Sequence, residues 1–389
     1  MKSRITVAAA TLVVSVLWMP AMGVAQGRYR ATRTGDVVQL EDATTKTVVN
    51  VLTTASNAYQ MTVKGEDVIR RTWTSLDDIR ERMGLNGVPL LFPYANRLDE
   101  QAFYANGQKY TFDPGLGNTG RGAIPMHGYV TGATEWKTLE VKADATGAWI
   151  TSRLDFYKNP NYMKQFPFAN TVTMTYRLSD GALEVRTRID NMSDQPMPVA
   201  VGFHPYFQLS DSSREEWTLS IPGKTHWILN SSTIPTGETE PVAKMFADPH
   251  NVAVKDVTLD DVFTDLERDA QGRATATLRG RTQQLDVTLG PNFKALLVLS
   301  RTGGGGRRGG GAGAPAGAGA TSPATPPPAA ATPAATTPAT PTRGTVAFEP
   351  MAGISNSMNL AQKGLYKELQ SIAPGGFWQE SFWIRPRNF

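Results

Sequence analysis

Residues 171–190 read TVTMTYRLSDGALEVRTRID, and this stretch predicts a β-hairpin. Apolar and polar residues alternate on both sides of Asp180-Gly181. A period of two places the apolar side chains on one face of each strand, and an Asp-Gly pair is typical of the tight turn between antiparallel strands. One face of the hairpin is therefore expected to be buried. Its apolar series is Val172, Met174, Tyr176 and Leu178, followed by Leu183, Val185 and Ile189.

Similar alternation recurs along the chain, whereas helical periodicity is rare. Residues 148–156 (AWITSRLDF) alternate in the same way, and residues 75–83 (SLDDIRERM) are the best candidate for a short helix. Strands with one apolar face bury it by packing sheet against sheet. The sequence thus predicts an all-β fold, a large antiparallel β-sandwich with few short helices.

The first residues predict an exported protein. Lys2 and Arg4 precede an apolar run over residues 5–18, which is followed by Pro20 and a small-residue stretch that ends at Ala25. This is the pattern of a secretory signal peptide, and the run is short for a membrane span. We expect cleavage after Ala25, no stable membrane association afterwards, and a periplasmic or secreted mature chain.

A second segment, residues 302–343, consists almost wholly of Gly, Ala, Pro and Thr. Such a composition buries too little apolar surface to offset the entropy of ordering it. We expect a disordered surface loop; the alternative is a segment that covers a binding cleft. Without the 25 leader residues and these 42, 322 of the 389 residues remain, and they predict a single domain over residues 26–389 that the insert interrupts.

Charge and cysteine content exclude several classes of protein. The net charge is +4, but the leader supplies two positive charges and the insert three, which leaves about −1 for the folded part. No basic face of the kind that binds nucleic acid is evident. The chain has no cysteine, which excludes disulfides and thiolate metal sites.

One candidate functional residue is His204, in VGFHPYFQL (residues 201–209). In an extended strand it shares a face with Gly202 and Tyr206. Pro205 favours an extended conformation at His204 and places it at the edge or end of a strand. A core histidine bonded to the backbone explains this pattern equally well.

Glu349 repeats the arrangement in GTVAFEPM (residues 344–351), where it precedes a proline and has the small Ala347 on its face. A histidine and a carboxylate can give and take a proton near neutral pH, as a general acid and base must. The spacing alone does not bring Glu349 and His204 together, and an exposed loop glutamate is the alternative.

Further polar candidates lie at the ends of apolar runs. Asn96 and Arg97 follow LLFPYA, although Arg97 could simply pair with Asp99 or Glu100. The remaining candidates are His127 in IPMHGYV (residues 124–130), which could be a turn histidine, and Asp260 with Asp261 in TLDDVFTDL (residues 258–266), which could lie in a solvated turn.

Taken in order, these motifs resemble the aldose 1-epimerase family, the galactose mutarotases. The resemblance covers nearly the whole mature chain apart from the insert, and it rests on the order and approximate spacing of short motifs. They are TVKGEDVI, PYANRL, MHGYV with Trp136 downstream, GFHPYFQL, IPTGE, LDDVF, FEPM and APGG.

The resemblance implies a concave sheet face that holds a sugar, with no cofactor and no metal. It implies His204 as general acid and Glu349 as general base. It also implies that sugar hydroxyls are bound by Arg97, Asn96, His127 and Asp260 (or Asp261, if the register shifts by one). Tyr206 is a candidate to stack on the apolar face of the sugar ring, and Trp136 and Tyr129 are further candidates for this stacking.

The implied reaction is interconversion of the α and β anomers of an aldohexose by ring opening and reclosure. Two alternatives stay open from the sequence. One is a non-catalytic carbohydrate-binding module of the same fold. The other is a glycoside hydrolase or lyase that uses Asp260 with Glu349, since two carboxylates can flank a glycosidic bond.

Overall fold

The computed structural model describes residues 27–116, 124–301 and 345–389. The predicted signal peptide and the predicted insert lie outside these residues. The first half of the described chain contains the strands β1 (Tyr29–Thr34), β2 (Val37–Asp42), β3 (Thr47–Leu52), β4 (Asn57–Val63), β5 (Glu66–Asp67), β6 (Leu90–Leu91), β7 (Ala102–Ala105), β8 (Gln108–Thr111), β9 (Lys137–Asp144), β10 (Gly147–Leu154), β11 (Asn170–Ser179) and β12 (Ala182–Asn191).

The second half contains β13 (Met197–Val199), β14 (Gly202–Phe203), β15 (Tyr206–Phe207), β16 (Thr218–Ser220), β17 (Thr225–Leu229), β18 (Pro235–Pro241), β19 (Val252–Ala253), β20 (Leu259–Thr264), β21 (Ala274–Arg279), β22 (Gln284–Leu289), β23 (Ala295–Arg301), β24 (Thr345–Met351), β25 (Gln370–Ile372) and β26 (Phe377–Arg387). The α-helices of the described residues are α1 (Leu76–Glu81), α2 (Pro160–Gln165) and α3 (Ser357–Gln362). Short 3-10 turns span Pro114–Leu116, Phe156–Lys158, Arg214–Glu216, Val242–Lys244 and Val254–Asp256.

Two large antiparallel sheets dominate the fold. One has nine strands in the order β19-β16-β21-β22-β26-β12-β11-β10-β9, and the other has the order β18-β17-β20-β23-β24-β14-β6, with β15 also paired to β24. A five-stranded sheet, β1 to β5, and two hairpin-sized sheets complete it. The predicted antiparallel β-sandwich is confirmed, as is the small contribution of helices.

The hairpin of residues 171–190 forms as predicted. β11 and β12 pair from Asn170 opposite Asn191 to Ser179 opposite Ala182, and β11 alternates strictly between buried and partly exposed residues. Both residues of the turn, Asp180 and Gly181, have positive φ, which an Asp-Gly turn accommodates.

Two local predictions need adjustment. The strand predicted over residues 148–156 ends at Leu154, and Phe156 begins a 3-10 turn instead. The helix predicted over residues 75–83 is shorter, because Ser75 is its N-cap and accepts a hydrogen bond from the backbone N–H of Asp78 at 3.1 Å. Capping by serine fixes where such a short helix begins.

The main core lies between the two large sheets. Phe203 of β14 and Phe382 of β26 pack with ring centroids 4.8 Å apart, and Phe348 of β24 is also fully buried there. Side chains alternate along a strand, so the neighbours of Phe348 on β24, Ala347 and Glu349, point to the opposite face of the eight-stranded sheet.

That opposite face, the outer face, carries a second apolar cluster at one end, formed by Leu91, Ala95, Trp227, Val262, Ala295, Leu297, Met351, Ile354, Leu360 and Tyr366. Glu349 stands opposite Leu297 of β23 in the strand register, at the edge of this cluster. The polar residues singled out from the sequence lie next to it. None of the helices in the described ranges is long and apolar enough to cross a membrane.

Candidate active site

Glu349 and His204 meet on the outer face of the eight-stranded sheet. Nε2 of His204 lies 2.9 Å from Oε1 of Glu349, and the side chains are 4% and 0% exposed. The contact is close in distance but is not aligned as a hydrogen bond, and both carboxylate oxygens lack a donor among the described residues. The pair is therefore buried, in contact and short of hydrogen-bond partners.

A break in the strand presents His204 to this face. The segment does not form one continuous strand, because β14 ends at Phe203 and β15 starts at Tyr206, which leaves His204 and Pro205 between them. The predicted position at a strand end is confirmed. Gly202 is required beside it, since a Cβ there would lie 2.7 Å from the Cβ of Ala95.

His127 is held next to His204 by a strained turn. Its φ is 65° and that of Gly128 is 61°, and its backbone N–H donates to the carbonyl of Asn96 at 2.8 Å. A Cβ on Gly128 would lie 2.1 Å from the carbonyl oxygen of Phe92, so only glycine fits. The imidazole rings of His127 and His204 are 5.2 Å apart, edge to face.

Arg97 faces the site and pairs with Asp260. Nη2 of Arg97 lies 3.1 Å from Oδ2 of Asp260, and Nη1 donates to Oδ1 of Asn96 at 3.0 Å. Asn96 also accepts the backbone N–H of Arg97, with its own φ at 55°. Asn96 thus orients the arginine. The alternative pairing with Asp99 or Glu100 is wrong, because those carboxylates bind Lys363 and Lys109.

Asp260 and Asp261 point in opposite directions from β20. Asp260 is buried and binds Arg97 and Arg301, whose Nη2 lies 2.6 Å from its Oδ2. Asp261 instead contacts Nε2 of His226 at 2.9 Å. Of the two registers considered from the sequence, the structure places Asp260 on the face of His204 and Glu349, and neither aspartate lies in a solvated turn.

Tyr206 completes one side of the site. Its ring is 4.7 Å from that of His204 at a tilt of 34°, and the pairing of β15 with β24 sets it opposite Ala347. The other two aromatic candidates lie in the aromatic packing around the core: Trp136 is buried, and the ring of Tyr129 packs against Tyr162.

Several buried polar atoms on this face have no hydrogen-bond partner among the described residues. They are both carboxylate oxygens of Glu349, Oδ1 of Asp260, and Nδ1 of His204 and of His127. Buried polar groups are nearly always hydrogen-bonded, to protein, to water or to a ligand. Their convergence on one face indicates a site for a polar molecule that accepts and donates several hydrogen bonds.

Burial sets the electrostatics of the site. Burial raises the pKa of Glu349 above its usual value, against the opposing influence of His204. Burial also holds the pKa of His127 well below its usual value, and the nearby His204 and Arg97 lower it further. Burial raises the pKa of Tyr206 to about 12. Glu349 is therefore a stronger base than an exposed glutamate, and His127 is a neutral hydrogen-bonding group.

The sequence reasoning missed two residues on this face and one on the opposite face of β20. Arg301 is the second cation on Asp260, Arg70 stacks on the ring of Tyr206 with its guanidinium carbon 4.0 Å from the centroid, and His226 holds Asp261. The residue that each of them contacts is distant in sequence or lies on another strand. No local pattern signals these contacts.

The fold resembles that of galactose mutarotase-like proteins. A galactose mutarotase-like protein from Clostridium acetobutylicum superposes with a TM-score of 0.71 at 18% identity, over 93% of this chain and 98% of that one. A galactose 1-epimerase from Lactobacillus acidophilus gives 0.64 at 16%, over 92% and 98%, and a putative aldose 1-epimerase from Escherichia coli K12 gives 0.57 at 14%, over 92% and 98%.

The family itself follows from the sequence match. The aldose 1-epimerase family model matches residues 45–300, more than half of the chain, and the chain belongs to that family of mutarotase-type enzymes. The matched range includes Arg97, His127, His204 and Asp260 and stops before Glu349. Strand pairing with β23 nevertheless brings Glu349 to the same face.

Proposed function

We propose that the protein interconverts the α and β anomers of an aldohexose, with Glu349 as general base and His204 as general acid. The observation that carries the proposal is the 2.9 Å contact between these two buried side chains. The C1 hydroxyl and the ring oxygen of a pyranose are both bonded to C1, so the base for one and the acid for the other must be close neighbours.

The proton transfers balance without any further reagent. Glu349 takes the proton of the C1 hydroxyl, the C1–O5 bond breaks, and His204 gives a proton to O5. The open-chain aldehyde turns about the C1–C2 bond, and the steps run in reverse on its other face. The raised pKa of Glu349 favours the first transfer, since a buried carboxylate binds a proton more readily.

The remaining polar groups bind the sugar in this scheme. Arg97, held by Asn96 and Asp260, and the neutral His127 offer donors to ring hydroxyls, and the free Oδ1 of Asp260 accepts from one. Tyr206 offers an aromatic face beside His204. The positions of these groups around His204 and Glu349 support these roles.

The test is polarimetry or proton NMR of freshly dissolved α-glucose and α-galactose with wild-type protein, His204→Gln and Glu349→Gln. A positioned acid or base contributes about 10²- to 10⁴-fold, so each variant should lose at least about 100-fold in rate. His250→Gln is the matched control, because His250 is exposed and pairs with Glu267 away from the site. Full activity of both site variants would refute the mechanism.

The same proteins, assayed also for sugar binding and for glycoside cleavage, separate the alternatives. A binding module would bind sugar and leave wild-type equilibration no faster than buffer. A hydrolase built on Asp260 and Glu349 would cleave nitrophenyl glycosides and would keep most activity in His204→Gln.

Export belongs to the same proposal. It is supported by the charges of Lys2 and Arg4 before the apolar run and by the small residues up to Ala25. The intact mass of the mature protein should correspond to a chain that begins at Gln26 and is recovered from the periplasm or medium. An uncleaved chain in the cytoplasm would overturn this part alone.

A further inference from the structure

Arg70 extends the row of residues that forms the site. Its backbone N–H donates to the carbonyl of Tyr206 at 2.8 Å, next to an antiparallel bridge between Ile69 and Phe207. Tyr206 stands opposite Ala347, Ala347 opposite Leu299, and Leu299 opposite Asp260. Residues directly opposite each other share a face of a sheet, so Arg70, Tyr206 and Asp260 lie on one face.

The guanidinium of Arg70 has no anionic partner in the part of the chain that the structure describes. It stacks on the ring of Tyr206, and its Nε is buried without a hydrogen-bond acceptor. Burial lowers the pKa of Arg70, and no carboxylate offsets this cost. Partial burial of a cation without a counter-ion costs desolvation free energy, and stacking on one aromatic ring offsets only part of that cost.

The surroundings add further positive charge. Arg97 and Arg301 share the single carboxylate Asp260, while Glu349 is in contact with His204. Arg301 lies two residues after Leu299 on β23, so its side chain is on the same face of the sheet as Tyr206 and Arg70. Three guanidinium groups, those of Arg70, Arg97 and Arg301, therefore lie on this face with two carboxylates, those of Asp260 and Glu349.

The bonding of a pyranose indicates which carbon of the sugar would lie near Tyr206 and Arg70. The ring oxygen is bonded to C5, and C5 carries C6. The group that protonates the ring oxygen is therefore next to the C6 substituent. His204 is that group in the proposed mechanism, and its ring contacts Tyr206, which contacts Arg70.

We infer that the preferred substrate carries an anionic group at C6, either the carboxylate of a hexuronic acid or the phosphate of a hexose 6-phosphate, and that Arg70 binds this anion with support from Arg301. The inference rests on the proposed epimerase function. Charge-assisted hydrogen bonds of this kind are roughly twice as strong as neutral ones, and a guanidinium matches both anions in geometry.

Mutarotation rates should be compared for α-glucose, α-galactose, glucuronate, galacturonate and glucose 6-phosphate. Wild-type kcat/KM should be at least about 10-fold higher for an anionic sugar, and the Arg70→Gln variant should lose about 10- to 100-fold of it, chiefly through KM. The same variant should change neutral-sugar turnover by less than about threefold, and Arg70→Lys should keep part of the preference because it keeps the charge. The preferred anion identifies the source, carboxylate or phosphate.

Arg71→Gln is the matched control, since Arg71 is exposed, adjacent in sequence and bound to the carbonyl of Trp73. It should leave every rate unchanged. Equal wild-type rates for neutral and anionic sugars, or an equal loss for both in Arg70→Gln, would overturn the inference and leave the epimerase proposal intact.

If no sugar is turned over, the epimerase proposal fails, and binding still decides the anion site. Calorimetric titration of methyl α-glucoside and of methyl α-glucuronide would then be compared in wild type and Arg70→Gln. Tighter wild-type binding of the glucuronide, lost in the variant, would support the anion site. Equal affinities would reject it and leave Arg70 as a support for the Tyr206 ring only.

Discussion

Asp260 and Asp261 are sequence neighbours whose side chains serve opposite faces of β20. Asp260 binds Arg97 and Arg301 on the face of His204 and Glu349, and Asp261 binds His226 on the other. Oδ2 of Asp261 also accepts the backbone N–H of Asp260 at 3.0 Å. The two residues therefore allow a matched comparison of substrate binding with structural support.

Asp260→Asn should raise KM about 10- to 100-fold, because the amide no longer offers a charged acceptor to a sugar hydroxyl or neutralises the two arginines. Asp261→Asn should keep KM within about threefold and should instead lower the melting temperature, since His226 loses its main partner. Initial-rate kinetics and thermal melts of both variants give the comparison. The opposite division of effects would mean that Asp261 contacts the sugar.

The activity should fall on the acid side at a pH above the ordinary pKa of glutamic acid. Glu349, the proposed base, must be ionised to accept a proton, and burial raises its pKa above 4.5. Activity is therefore lost as the pH falls through this raised pKa. A pH profile of kcat/KM measures the midpoint, and His226→Gln should leave it unchanged. A midpoint below 4.5 would contradict the burial argument.

The same shift predicts that Glu349→Gln stabilises the protein at neutral and alkaline pH. A carboxyl with a raised pKa binds its proton more readily in the folded state, so the free energy of unfolding of the wild type falls as the pH rises from 4.5 through the raised pKa. Glutamine carries no such cost. The melting temperature of the variant should exceed that of the wild type by a few degrees at about pH 8, and the excess should shrink towards about pH 5. A constant difference would show that charge burial is not its cause.

His226 should give the opposite dependence on pH. Its Nε2 lies 2.9 Å from Asp261 and its Nδ1 3.2 Å from Glu240, and the hydrogen bond with Asp261 raises its pKa above 6.5 despite partial burial. The stabilisation is complete below 6.5 and is lost as the pH rises through the raised pKa. His226→Gln should cost about 1.5–3 kcal/mol at about pH 6 and clearly less at about pH 9. Denaturant unfolding at both pH values measures it, and equal losses would contradict the charge argument.

Local pattern predicted which residues of the two clearest strand segments are buried together, but it did not predict the contacts of the site. The alternation in residues 171–190 gave both strands of the hairpin, and alternation in residues 344–351 placed Phe348 and Glu349 on opposite faces, Phe348 in the main core and Glu349 against His204. These are properties of neighbouring residues. The distance between Glu349 and His204 depends on how β24 pairs with its neighbours, which no spacing along the chain specifies.

The same limit explains the missed residues. Arg70 was unremarkable in the sequence because Tyr206, on which it stacks, lies far along the chain. His226 likewise depends on Asp261 of an adjacent strand. The family resemblance identified the site motifs and their order. Only the structure shows that Arg70, beside Tyr206, has no carboxylate partner among the described residues.

Arg301, the last residue of β23, stands opposite Thr345, the first of β24, so the residues between them join two strands that are already paired. Glu349 is held by seven registered residue pairs along these strands rather than by the connection. A chain cut within residues 302–344 should therefore assemble from two pieces, residues 26–301 with His204 and residues 345–389 with Glu349. Co-expression of the two fragments should restore turnover that neither has alone. The protein would then be a split enzyme, whose activity appears only when the fragment with His204 and the fragment with Glu349 associate.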